Sequence, residues 1–112
     1  MTNDDRVSEV YNGTRGTAEA QRICRDRIAW VLSKISGPRV LDIGCSQGIV
    51  SILAARGGHQ VLGVDVEQPQ IEFAKAQLEQ EAEDVRARAR FLLADMLVAD
   101  LGGEKFDTVV LG

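Results

Sequence analysis

The first part of the chain is patterned like a helix with one apolar side. Apolar residues recur three or four positions apart over 18–36, and they are Cys24, Ile28, Val31, Leu32 and Ile35. This spacing predicts an amphipathic helix that begins near Thr17 and ends at Gly37-Pro38. Because the other side of the helix is polar, we expect it to cover a core built by later segments.

Short apolar runs alternate with helical patterns along the rest of the chain. The runs have the length and the branched residues of buried strands, and they cover 39–43, 61–66, 91–94 and 106–111. A nearly all-apolar helical stretch, 49–56, ends at Gly57-Gly58. A further helix opens at Pro69 and has an apolar side made of Ile71, Ala74, Leu78 and Ala82. The charge-dense stretch 79–90 is predicted to be the solvated end of that helix and its exit loop.

This alternation predicts an α/β fold. Parallel strands joined through helices form right-handed crossovers, so the pattern favours a doubly wound parallel sheet with helices on both faces. The chain has 112 residues, 45% of them hydrophobic, which suits a single domain with one core. We divide it into an N-terminal lid segment with the capping helix, 1–37, and a sheet-forming core, 38–112.

Charge and composition argue against several classes of partner. Asp and Glu number 17 against 13 Lys and Arg, a net charge of −4, which disfavours nucleic acid as a partner. No signal region and no stretch near the roughly 18 apolar residues of a membrane span are present, so we expect a cytoplasmic protein without a membrane partner. Cys24 and Cys45 lack zinc-site spacing, and we expect reduced thiols and no metal.

Carboxylates follow the ends of the predicted strands. Asp42 lies two residues before Gly44, Asp65 lies 21 residues after Gly44 at the end of the second strand, and Asp95 follows the third. In doubly wound folds the carboxyl ends of the strands border the ligand crevice. We therefore expect these three acids and the glycine turn 44–48 to lie around one site.

The glycine turn differs from the turn that binds dinucleotides. That fingerprint is G-x-G-x-x-G, whereas this chain has Gly44-Cys45-Ser46-Gln47-Gly48 and no third glycine at the expected spacing. A pyrophosphate is anionic, and Asp42 would repel it inside a cleft of low dielectric constant. The turn is better matched to a cationic ligand, although an NAD(P)-dependent oxidoreductase stays open as an alternative.

Four segments together resemble the class I S-adenosylmethionine-dependent methyltransferases. They are VLDIGCSQG, LGVDV, FLLADML and FDTVVLG, and the resemblance covers residues 38–112. It implies a Rossmann-like sheet of about four strands in the order 3-2-1-4, with S-adenosyl-L-methionine as cofactor and S-adenosyl-L-homocysteine as product. The family pattern is G-x-G-x-G, so Ser46 departs from it at the middle glycine.

The resemblance also implies roles for individual residues around the methionine part of the cofactor. Asp42 would orient the loop and contact the amino-acid end. The backbone would approach the cofactor closely at Gly44, Cys45, Ser46 and Gly48. Leu111 and Gly112 would pass beside the methionine portion, and Tyr11 and Arg15 are lid candidates.

The adenosine part is assigned in the same way. Asp65 would accept hydrogen bonds from the ribose hydroxyls, and Val66 would lie against the adenine ring. Asp95 would accept from the exocyclic amine of adenine, and the backbone N–H of Met96 would meet a ring nitrogen. No catalytic base is identified.

The resemblance implies methyl transfer to an acceptor that we expect to be a small molecule. A non-catalytic module that only holds the cofactor or its product is the alternative. Because an apolar strand ends at Leu111 with nothing predicted to cover it, we expect an incomplete domain and self-association through the exposed edge of that strand. Cys45 is expected to be a turn residue, His59 a solvent-exposed one, and Trp30 either a core residue or a contact with another segment.

Overall fold

The helices and strands follow one another in the predicted alternation, with one additional short helix. The structure is a computed structural model that describes residues 18–112. Its elements are α1 Ala18–Lys34, β1 Arg39–Ile43, α2 Ile49–Arg56, β2 Gln60–Asp65, α3 Gln68–Glu79, α4 Glu83–Arg88, β3 Ala89–Leu93 and β4 Thr108–Leu111. The lid candidates Tyr11 and Arg15 lie outside the described residues. No helix in the described range is long and apolar enough to cross a membrane.

The four strands form one parallel sheet in the order β3-β2-β1-β4. Asp42 in the central strand β1 lies opposite Gly63 of β2 and Val110 of β4. Asp65 at the end of β2 lies opposite Leu93 of β3. The predicted α/β class, the parallel sheet and its strand order are therefore confirmed, and the ends of β1 and β2 lie side by side.

The described helices all pack on one face of the sheet. That face carries Val40, Val61 and Phe91, which contact apolar residues of α1, α2, α3 and α4. The opposite face carries Leu41, Leu62 and Val64, and it is covered by residues of the 94–107 connection. Within 18–112 the arrangement thus differs from the expected helices on both faces, because the connection from β3 to β4 contains no helix.

The charge-dense stretch 79–90 is more ordered than the sequence suggests. Helix α3 ends at Glu79, and the separate helix α4 follows with Val85 buried in the core. Acidic residues lie in the first turn of α4 and basic residues in its last turn, which stabilises a short helix through its dipole. Ala82, predicted on the apolar side of α3, instead precedes α4 and is exposed. The predicted solvated exit loop is therefore wrong for 83–88.

Two side chains of uncertain role are placed by the structure. Trp30 is 62% exposed on α1, so it is not a core residue. His59 is only half-exposed, contrary to expectation, and its Nδ1 lies 2.8 Å from the carbonyl oxygen of Gly37. This contact joins the loop before β2 to the loop before β1.

Candidate functional site

A cavity of about 520 Å³ opens at the carboxyl end of the sheet, beneath α1. Its wall includes six of the predicted site residues, Asp42, Gly44, Cys45, Ser46, Asp65 and Leu111. Gly112, also expected beside the methionine portion, lines it too. The size falls within the range of roughly 300–1,000 Å³ typical of small-molecule sites. The structure thus brings the residues expected around the methionine part, except Gly48, into one place with the ribose acid.

The glycine loop is tied to the end of β2 by its own backbone. The N–H groups of Gly44 and Cys45 donate to the carbonyl oxygen of Val64, at 2.8 and 3.0 Å. The Ser46 N–H donates to Asp65 Oδ2 at 2.9 Å. Because these contacts join two strand ends, the loop and the Asp65 carboxylate are positioned together.

Ser46, at the position of the middle glycine of the family pattern, has a backbone conformation that favours glycine. Its φ is 55°, in the left-handed region, and it is the only non-glycine residue with positive φ among residues 18–112. A side chain costs roughly 1–2 kcal/mol in that region. The departure from the G-x-G-x-G pattern therefore places a side chain on a left-handed residue and adds local strain.

Gly48 has a steric role in this loop. Its φ is 83°, and a Cβ atom there would lie 2.7 Å from Cζ of Phe91 and 2.9 Å from Cβ of Ala74. The residue does not line the cavity. Its absent side chain lets the start of α2 pack directly against β3 and α3.

Asp42 is a buried carboxylate in the cavity wall. Only 3% of the residue is exposed, and Ser51 Oγ donates to its Oδ2 at 2.7 Å. Burial raises the pKa of Asp42 from 3.8 to about 6; the hydrogen bond from Ser51 opposes this rise and the charge of Asp65 adds to it. The group is mainly ionised at neutral pH, and a neighbouring cation would stabilise that form.

Asp65 is oriented by two backbone hydrogen bonds. Oδ2 accepts from Ser46, as described, and Oδ1 accepts from the Glu67 N–H at 2.9 Å. The carboxylate lines the cavity at the end of β2. Its preset orientation suits a group that accepts further hydrogen bonds from a ligand.

The residues assigned to adenine lie beyond the cavity wall. Val66 is 65% exposed, Met96 packs against the sheet face that carries Leu41, and none of Val66, Asp95 and Met96 lines the cavity. Asp95 Oδ1 accepts from the Leu97 N–H at 2.9 Å, which closes a turn. These residues follow β2 and β3 at the same edge of the sheet, and their adenine role stays a prediction.

Several wall residues were missed by the sequence reasoning. Helix α1 contributes Cys24, Arg27, Ile28 and Val31 to the cavity, although its apolar side was predicted only to cover a core. Ser51, the partner of Asp42, was also missed. Its signal was present, because Ser51 is the only polar residue before Arg56 in the otherwise apolar run IVSILAAR.

Cys45 has the properties of a turn residue rather than a nucleophile. It is 7% exposed, and burial raises the pKa of its thiol to about 12, helped by the charges of Asp42 and Asp65. The thiol is therefore protonated at neutral pH, and a protonated thiol is a poor nucleophile.

Sequence comparisons place the chain among methyltransferases. A family profile described as a methyltransferase domain matches residues 40–112. The chain is 32% identical over 109 residues to the magnesium-protoporphyrin O-methyltransferase of Rhodobacter capsulatus, covering 97% of this chain and 46% of that protein. It is 36% identical over 109 residues to the ubiquinone biosynthesis O-methyltransferase of Bartonella bacilliformis, covering 94% and 42%. The chain thus spans less than half the length of these relatives.

The fold has a counterpart among solved structures. The glycopeptide N-methyltransferase MtfA, solved in complex with S-adenosyl-L-methionine, matches 77% of this chain and 35% of its own with a TM-score of 0.68. The identity is 20%, so this likeness concerns the fold alone. The profile and the two O-methyltransferases show that the chain belongs to the class I S-adenosylmethionine-dependent methyltransferase family.

Proposed function

We propose that the cavity binds S-adenosyl-L-methionine and that the chain is the cofactor-binding part of a methyltransferase acting on a small molecule. The observation that carries the proposal is the placement of Asp42 and Asp65 in the wall of one cavity at the ends of β1 and β2. Family membership supports the cofactor and argues against the alternative of an NAD(P)-dependent oxidoreductase.

The donor set fits this cofactor. Its sulfonium and ammonium groups are cationic, and the buried carboxylate of Asp42 provides a complementary charge. Apolar wall residues such as Ile28 and Val110 suit its aliphatic part. Asp65, already oriented by two N–H donors, retains acceptor capacity for ribose hydroxyls. Arg27 lines the same cavity and provides a charge complementary to the cofactor carboxylate.

The chemistry is supplied by the cofactor, whose sulfonium makes the methyl group electrophilic. The residues of this chain bind it, orient it and exclude water, which is how protein contributes most to such a transfer. A base is needed only where the acceptor must lose a proton. We assign none of the described residues to that role.

The proposed acceptor class rests on the named relatives. Magnesium-protoporphyrin O-methyltransferase and ubiquinone biosynthesis O-methyltransferase both carry O-methylation of small molecules in their names. We therefore propose a small organic acceptor with an oxygen nucleophile. A non-catalytic module that only holds the cofactor stays the alternative, and the transfer assay below distinguishes the two.

Calorimetric titration tests the cofactor. S-adenosylhomocysteine should bind the unmodified chain, NAD should not, and Asp65→Ala should weaken S-adenosylhomocysteine at least tenfold, or about 1.4 kcal/mol. Asp100→Ala is the matched control, because Asp100 also accepts an N–H two residues ahead, from Gly102 at 2.8 Å, but lies outside the cavity. Binding of NAD without binding of S-adenosylhomocysteine would refute the proposal.

A transfer assay separates the enzyme from the binding module. Radiolabelled S-adenosylmethionine is incubated with the chain and a panel of phenols, catechols and carboxylic acids. Label in an extracted product supports the enzyme. Tight cofactor binding with no label transferred to any acceptor supports the module.

We also propose self-association through β4. Among the described residues this strand pairs with β1 alone, and Val109 and Leu111 are 52% and 77% exposed. An edge strand with exposed apolar residues is a template for pairing with another chain. Light scattering should show dimers that Leu111→Lys converts to monomers, whereas a monomeric unmodified chain would contradict the proposal.

A further inference from the structure

Ser51 is a buried hydroxyl in a helix that is otherwise apolar before its last residue. The residue is 0% exposed in α2, and its Oγ donates to Asp42 Oδ2 at 2.7 Å. Gly63, opposite Asp42 in the sheet, provides the space, because a Cβ there would lie 2.9 Å from Ser51 Oγ. Helix α2, the central strand β1 and the neighbouring strand β2 thus pack together around the hydrogen bond between Ser51 and Asp42.

This hydrogen bond is not the usual one for a serine in a helix. Such hydroxyls commonly donate to the carbonyl oxygen of the preceding turn. Ser33 of α1 does so, donating to the carbonyl oxygen of Trp30 at 2.6 Å. Ser51 instead donates across to the carboxylate in the cavity wall, so its contact serves the site and not its own helix.

Several charged or titratable groups surround the Asp42 carboxylate. Asp65 approaches from β2, the Cys45 thiol from the loop, and Arg27 and Cys24 line the cavity from α1. From β4 and the residue that follows it, the wall has only Val110, Leu111 and Gly112. The charge of Asp65 and the burial favour the protonated form of Asp42, whereas the hydroxyl of Ser51 favours the ionised form.

We propose that Ser51 is a positioning residue of the cofactor site, whose hydroxyl keeps the Asp42 carboxylate ionised and fixes its orientation in the cavity wall. With Oδ2 engaged by Ser51, Oδ1 is the oxygen that would remain to meet a cationic group of the cofactor. The inference rests on the proposed function for the role of Asp42, while the electrostatic link between the two side chains is a property of the free protein.

Carbon-13 NMR of the Asp42 carboxyl in the free protein tests that link. Ser51→Ala should raise the titration midpoint of Asp42 by about one pH unit, since a hydrogen bond to a charged group is lost. Ser51→Cys keeps a side chain of similar size with a much weaker donor, so it should resemble Ser51→Ala if the donor matters. Ser33→Ala should leave the midpoint unchanged.

The affinity for S-adenosylhomocysteine tests the consequence. Ser51→Ala should weaken binding about fivefold at pH 6, where the variant loses most of its ionised Asp42, and less than about twofold at pH 8.5. An unchanged Asp42 midpoint, or an equal loss of affinity at both pH values, overturns the inference. Absence of binding by the unmodified chain overturns the proposed function instead, because the NMR titration of the free protein does not depend on it.

Discussion

Replacing Asp42 by asparagine should stabilise the free protein at neutral pH while weakening the cofactor site. The carboxylate is 3% exposed and lies near Asp65, so its ionised form is disfavoured in the folded chain. Asparagine has nearly the same shape, and its amide oxygen accepts the hydrogen bond from Ser51. The substitution thus removes a charge with little change in packing.

The magnitude follows from the pKa of Asp42. Its rise from 3.8 to about 6 corresponds to about 3 kcal/mol, at 1.36 kcal/mol for each pH unit. Because the pKa of Asp42 is higher in the folded chain than in the unfolded one, the unmodified chain has this additional unfolding free energy below about pH 4. It loses that stability as the pH rises through about 6, where Asp42 ionises in the folded chain. Because a buried amide N–H₂ also needs an acceptor, at a cost of about 1 kcal/mol or more, we expect Asp42→Asn to add about 1–2 kcal/mol at pH 7.5.

Urea unfolding at pH 7.5 and pH 4 provides the measurement. The gain should be present at pH 7.5 and absent at pH 4, where Asp42 of the unmodified chain is itself protonated. Calorimetry should show at least a tenfold loss of affinity for S-adenosylhomocysteine, about 1.4 kcal/mol. The exposed Asp100→Asn serves as control. A variant that is less stable than the unmodified chain by the same amount at both pH values would refute the reasoning.

Three further predictions follow from the site. Gly48→Ala should cost about 2–4 kcal/mol of unfolding free energy, because a positive φ and overlap with Phe91 act together. Gly58→Ala, with positive φ but open space around it, should cost only about 1 kcal/mol. Equal losses in urea unfolding would contradict the steric role of Gly48. Iodoacetamide at pH 8 should label half-buried Cys24 faster than Cys45, whose thiol pKa is raised to about 12, as followed by peptide mass spectrometry; faster labelling of Cys45 would show that its thiol is not protected. Glu104→Gln should lower the unfolding free energy by less than about 1 kcal/mol, and by less still in high salt, because the hydrogen-bonded pairs of Glu104 with Arg39 and Arg90 are partly exposed. A larger, salt-independent loss in urea unfolding would argue that these pairs act as a buried network.

The α/β alternation and the position of the glycine loop were predictable from local patterns, whereas the strand order was implied by the family resemblance. Short branched runs, glycine stops and strand-end acids each depend on nearby residues, and they placed Asp42, Asp65 and the loop 44–48 at one edge of the sheet. The helix α4 was less predictable, because its six residues bury a single apolar side chain, Val85, which leaves no periodic signal.

The sequence by itself therefore determined the α/β alternation, the parallel sheet and the acidic character of the site. Only the tertiary structure decided that the described helices share one face, that Arg27 of α1 reaches the cavity, and that Ser51 rather than a backbone group meets Asp42. The physical reason is that periodicity reports which side of an element is buried, whereas the partner across a packed interface depends on register and on space. Gly63 provides that space for Ser51, although it lies in a strand that follows both Asp42 and Ser51 in the chain.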